Sequence, residues 1–170
     1  MAPTRSALLA AAASGAMLAA GGCTSSAPAR STSPMSPASE SATIRSLGAR
    51  YLAIAEPANH RLDAEVDAYA DTARHNLAAA ENALRAEAAT ERKFDRQLAA
   101  ISFPPAIEAT AHALIRVNEI RVKLTLKQAA AHSIRALLSF TATHNAADAE
   151  VEAQVRVIRG ELGLPPPRTS

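Results

Sequence analysis

Between Gly48 and Gly160 the chain has no glycine, and the only prolines in that interval are Pro57, Pro104 and Pro105. A stretch this long without glycine lacks the residue that most easily adopts the positive φ angles of tight β-hairpins. The interval is filled with Ala, Leu, Arg and Glu, all strong helix formers, and no Asn-Gly or Asp-Gly hairpin dipeptide occurs. The fold class is therefore all-α.

Apolar spacing turns that class into an architecture. Ile44, Leu47, Tyr51, Ile54, Ala58, Leu62, Val66 and Tyr69 recur at steps of three and four, with an extra four-residue step near Pro57. Leu77, Ala80, Leu84, Ala88, Glu91, Phe94, Leu98 and Ile101 form a second stripe. A third runs through Ile107, Ala111, Leu114, Val117, Arg121 and Leu124, broken in character at Arg121. The fourth, Ile134, Leu137, Thr141, His144, Asp148, Val151, Val155, Ile158 and Leu162, is polar in its middle. Stripes of this period are the seams of a bundle, so the expectation is an antiparallel four-helix bundle with short connections.

The connections are legible to different degrees. Phe103-Pro104-Pro105 forms a rigid hairpin: the first proline forces its predecessor to be extended and the second suits a helix's first turn. Pro57 is expected to kink one helix running from about Ser41 to Asp71, with Asn59 as a polar partner for the carbonyl that the kink frees. The third connection falls near His132-Ser133 or within Thr141 to Asn145. Gly160, Gly163 and Pro165 to Pro167 stop the last helix. Alanine fills many seam positions, so the helices can approach closely and leave little room for an internal ligand.

Residues 40–164, about 125 residues, suit one core, the bundle domain. What precedes them reads as an address. Met1 to Arg5 is a short positive start, Ser6 to Ala20 is an Ala/Leu-rich run, and the only cysteine, Cys23, follows directly. About fifteen apolar residues fall short of the roughly twenty that span a bilayer. Residues 1–22 are thus expected to be a signal peptide, and residues 23–39, rich in Ser, Thr and Pro, a disordered tether with a reach of about 20 Å. Residues 165–170 are expected to be a disordered tail.

The stretch Ala20-Gly21-Gly22-Cys23 resembles the lipobox of bacterial lipoproteins. That resemblance implies cleavage between Gly22 and Cys23 and acylation of Cys23, with palmitate among the attached chains. The commonest lipoboxes carry leucine where this chain has Ala20. No second cysteine exists to pair with Cys23.

Charge offers little specificity. Eighteen basic residues face sixteen acidic ones for a formal net charge of +2. Near balance with few aromatic residues argues against nucleic acid as a partner. The i,i+4 pairs Glu81/Arg85, Glu119/Lys123 and Glu152/Arg156 suit a solvated helix surface. The first helix is acidic through Glu56, Asp63, Glu65, Asp67 and Asp71, and the third basic through Arg116, Arg121, Lys123 and Lys127. These faces are expected to attract one another inside the bundle; the alternative is that the basic one meets an anionic envelope polymer or headgroup.

Bundles can hold metals between helices, and two Glu-x3-His pairs occur, Glu56/His60 and Glu108/His112. Their spacing departs from the Glu-x2-His of di-metal bundles, so metal or small-ligand binding is the alternative reading rather than the main one. No nucleophile elbow, phosphate loop, Cys/His pair or zinc signature occurs. The expectation is a non-catalytic protein without a cofactor beyond the covalent lipid on Cys23. His144 is expected to be partly buried and hydrogen-bonded.

The segments "YLAIAEPANHRLDAEV", "FDRQLAAISFPPAIEATAHALIRVNEIR" and "VRVIRGELGLPPP" together resemble small Ala/Arg-rich lipoproteins of high-GC Gram-positive bacteria. The resemblance implies a helical bundle held to the outer face of the cytoplasmic membrane; the anchor, the tether and the absence of catalytic motifs make an interaction module for an unidentified envelope protein or polymer the expected function. The resemblance supplies no catalytic residues.

Overall fold

A computed structural model describes residues 37–167, and within them the chain forms helices and no strand. Cys23, Gly22 and the expected signal peptide lie outside the described residues, as does most of the expected tether. Helix α1 spans Pro37–Thr72, α2 Leu77–Ala99, α3 Pro105–Gln128, α4 Ile134–Leu138 and α5 Thr141–Glu161. Four long helices make the bundle and α4 is a single turn. Helix α1 packs on α2, α2 on α3, and α3 on α5.

Helix α1 begins at Pro37, inside the segment expected to be tether, where proline suits the first helical position. It then runs unbroken through Pro57. Pro57 has no N–H to donate to the Ala53 carbonyl, and both residues are exposed. Asn59 is also exposed and is not called on as that carbonyl's partner, contrary to expectation.

Caps fix the turns. Asn76 precedes α2 and its side chain accepts the amide of Ala79 at 3.1 Å. Pro104 and Pro105 open α3, with Phe103 half-buried against the core behind them. The third connection falls at His132-Ser133, one of the two positions read from the sequence; Thr141 to Asn145, the other, are helical. Ser133 caps α4, accepting the amide of Ala136 at 3.2 Å, and a second break at Ser139-Phe140 precedes α5. Helix α5 closes with Leu164 N–H donating to Arg159 O at 2.8 Å and Gly163 N–H to Gly160 O at 3.0 Å, Gly163 having φ +64°. This paired closure satisfies the last carbonyls and turns Leu164 back onto the core. Gly48 on α1 admits that turn: a Cβ there would stand 3.2 Å from Leu162 O. The expected tail is docked at its start, since Arg159 Nε donates to Pro165 O at 2.7 Å.

The core has two apolar ends. One joins Leu47, Tyr51, Leu98, Ile107, Leu114 and Ile158, with Phe94 edge-on to Tyr51. The other gathers Ala73, Ala80, Leu84, Ala129 and Leu137. Between them, among the described residues, the buried polar side chains Glu87, Glu91, Asn118 and Thr125 stand beside Ala88 and Val122.

Candidate functional site

The middle of the bundle is built from the exceptions in the apolar stripes. On α2, Glu87, Glu91 and Asp95 follow one another at four-residue steps on the face that also buries Leu84, Ala88 and Leu98. Helix α3 is turned by one residue from the expected seam after Leu114, so that Asn118, Val122 and Thr125 are buried in place of Val117, Arg121 and Leu124. The turn leaves Arg121 at the α3 flank, from which its side chain reaches both neighbouring helices. Helix α5 contributes His144 and Asp148, one turn apart and half-buried.

One guanidinium joins these parts. Arg121 Nη2 lies 2.7 Å from Glu87 Oε1, Nη1 contacts Glu91 Oε1, and Nε donates to Asp148 Oδ1. Its planar fork engages α2 on one side and α5 on the other, a geometry that lysine does not offer. The partners differ in depth: the Glu91 side chain is 3% exposed and that of Asp148 40%. On the α1 side, Thr90 donates to Glu65 Oε1 at 2.8 Å. Toward α4, Gln128 Nε2 donates to the Tyr69 hydroxyl at 2.8 Å and to Leu137 O at 2.9 Å.

Three buried atoms of this layer have no hydrogen-bond partner among the described residues: Glu65 Oε2, Glu91 Oε2 and His144 Nε2. His144 is therefore half-buried as expected, but its Nε2 is not hydrogen-bonded. Burial holds its pKa below the usual imidazole value, the Arg121 charge adds to that, and Asp148 opposes it.

Burial also dominates at the acids. It pushes the Glu87 carboxyl up, and Arg121 recovers only part of the cost while Asp148 and Glu65 add to it. Asp95 is pushed up to about 6, again chiefly by burial, with the Asn118 hydrogen bond acting the other way. Tyr69 is raised by burial and by the Glu87 charge.

The expected attraction between acidic first and basic third helices is not what holds the bundle. Glu56, Asp63, Asp67 and Asp71 are exposed, and so are Arg116, Lys123 and Lys127. Among the described residues Arg121 is the cation that pairs with buried carboxylates, and its acids come from α2 and α5, the helices packed beside α3. Glu81–Arg85 and Glu152–Arg156 pair on the surface as the spacing predicts, at 3.0 and 3.8 Å.

Glu56, His60, Glu108 and His112 are all exposed, two on α1 and two on α3. Among the described residues no group of three or more His, Cys, Asp or Glu side chains is placed to share a metal ion. Grooves among the described residues include one between α1 and the Phe103 hairpin and a smaller one beside Pro57. No helix among the described residues is long and apolar enough to cross a membrane.

Fold and site together define an antiparallel helical bundle whose apolar core is divided by a charged layer. Comparison with protein families, with curated proteins and with solved structures gives no match.

Proposed function

We propose that this protein is an exported, lipid-anchored and non-catalytic bundle, held by acylated Cys23 to the outer face of the cytoplasmic membrane, whose α3 surface binds an anionic envelope polymer. One observation carries the binding half of this reading. Arg116, Lys123 and Lys127 lie at i, i+7 and i+11 on one exposed face of α3, and none forms an ion pair among the described residues. Ile120, 61% exposed, stands within that row. The acids buried in the charged layer are engaged by Arg121 and do not neutralise it. A row of unpaired cations about 16 Å long, at 1.5 Å per residue, suits repeated phosphates or carboxylates on a flexible polymer.

The anchor half rests on the Ala20-Gly21-Gly22-Cys23 stretch. Incorporation of labelled palmitate into the wild-type protein, lost in Cys23→Ser, tests it. Co-sedimentation with a polyanionic wall polymer tests the surface: the triple change Arg116→Glu, Lys123→Glu, Lys127→Glu should abolish binding. Binding that survives this reversal refutes the α3 assignment.

A further inference from the structure

We propose that the charged layer is a proton-operated latch: with a proton on one of its α2 carboxylates, Arg121 keeps Asp148 and docks the first half of α5, and without it Asp148 is released to water.

Charge count is the first support. Glu87 and Glu91 from α2, Asp148 from α5 and Glu65 from α1 face one cation, Arg121 from α3. The neutral groups at the layer are Thr90, Tyr69 and Gln128. A buried excess of carboxylates is relieved by a metal, by a second basic residue or by protons. No metal-sharing group is placed there among the described residues, and Arg121 is the only Lys or Arg in the layer. Glu91 Oε2 is buried without a partner in a side chain 3% exposed, and Glu65 Oε2 is likewise buried and unpartnered.

The second support is where the release would act. In residues 141–150 of α5 nothing is fully buried; His144, Ala147 and Asp148 are half-buried and the rest are exposed. The apolar anchors lie beyond this segment, Leu137 before it and Ile158 and Leu162 after it. Docking of the segment thus depends on Asp148 and Arg121. When both α2 glutamates are ionised, three carboxylates compete for one guanidinium. Glu87 and Glu91 are buried, whereas Asp148, with the most exposed side chain of the three, finds water most easily. The raised pKa of Glu87 places its proton loss above the ordinary glutamate range. His144 works in the opposite direction, since its protonation would set a second positive charge beside Arg121, so it reduces the acid-side docking rather than producing it.

Amide hydrogen exchange of the purified full chain reads the latch, with rates corrected for intrinsic pH dependence and residues 107–115 of α3, packed in the apolar cluster, as internal reference. The opening constant of residues 141–150 should rise about tenfold from pH 5 to pH 8, as loss of the α2 proton sets three carboxylates in competition for Arg121. Glu87→Gln, which mimics the protonated form, should hold the segment docked at both values. Asp148→Ala should leave it open at both, and decides the matter if Glu87→Gln does not fold. A wild-type opening constant unchanged between pH 5 and pH 8, or a pH response retained in Asp148→Ala, overturns the proposal.

Discussion

Asn118 Nδ2 on α3 donates to Asp95 Oδ1 on α2 at 2.9 Å, inside the core and next to the charged layer. One amide hydrogen bond does not replace the hydration that a carboxylate loses on burial, so the folded state favours the protonated acid. Folded Asp95 titrates at about 6 against 3.8 for the free side chain. Its contribution to stability is thus fully present below the unfolded value and is lost as pH rises through about 6. Asp95→Asn should remove this loss, making the variant more stable than wild type at pH 8 by about 1 to 2 kcal/mol, allowing for screening at the edge of the core. Urea unfolding of both proteins at pH 5 and pH 8 checks the sign: the advantage of the variant must shrink at the lower pH.

Removing Arg121 should be far more costly than removing one of its acids. Arg121→Met leaves Glu87 and Glu91 buried without their cation, a loss of roughly 3–5 kcal/mol at neutral pH. Part of that loss should return on acidification, when the carboxylates take up protons. Arg121→Lys keeps the charge but not the three-way reach, and should fall between Arg121→Met and wild type. Thermal unfolding of the three proteins across pH 5 to pH 8 measures the order.

The end of α5 allows a prediction of opposite signs three residues apart. Gly163 holds φ +64°, so Gly163→Ala should destabilise by about 1–2 kcal/mol. Gly160 lies in the helix, and a Cβ added there meets nothing within 4 Å, so Gly160→Ala should stabilise by up to about 1 kcal/mol. Equal effects of the two changes in chemical denaturation would contradict the closure described for this turn.

What can be read from the sequence follows from how local its cause is. Phe103-Pro104-Pro105 is legible because proline's ring acts on its own neighbours, and the α2 stripe from Leu77 to Ile101 is legible because one helix face sets it. The third seam drifts after Leu114 because apolar spacing keeps polar residues outside, whereas Asn118 and Thr125 are buried. Glu91, Arg121, His144 and Asp148 each stand in a stripe as an exception. Their meeting depends on which helices are neighbours, which no single stripe encodes. Glu87 and Asp95 escape the stripe pattern, although acids at four-residue steps around Glu91, on the face of Leu84 and Leu98, are the signal that marks them.

An alanine-lined interface is nearly uniform along its length: a helix slid by one turn, about 5.4 Å, exchanges one methyl group for another. At Ala80, Ala88, Ala111 and Ala129 apolar contact therefore marks the stagger of the rods less sharply than it does at Tyr51 or Leu98. The three-way grip of Arg121 breaks that uniformity, because any such slip strands at least one carboxylate in a dry interior. In this protein the charged layer adds an index mark to the alignment that Tyr51, Leu98 and Leu114 already favour by their packing.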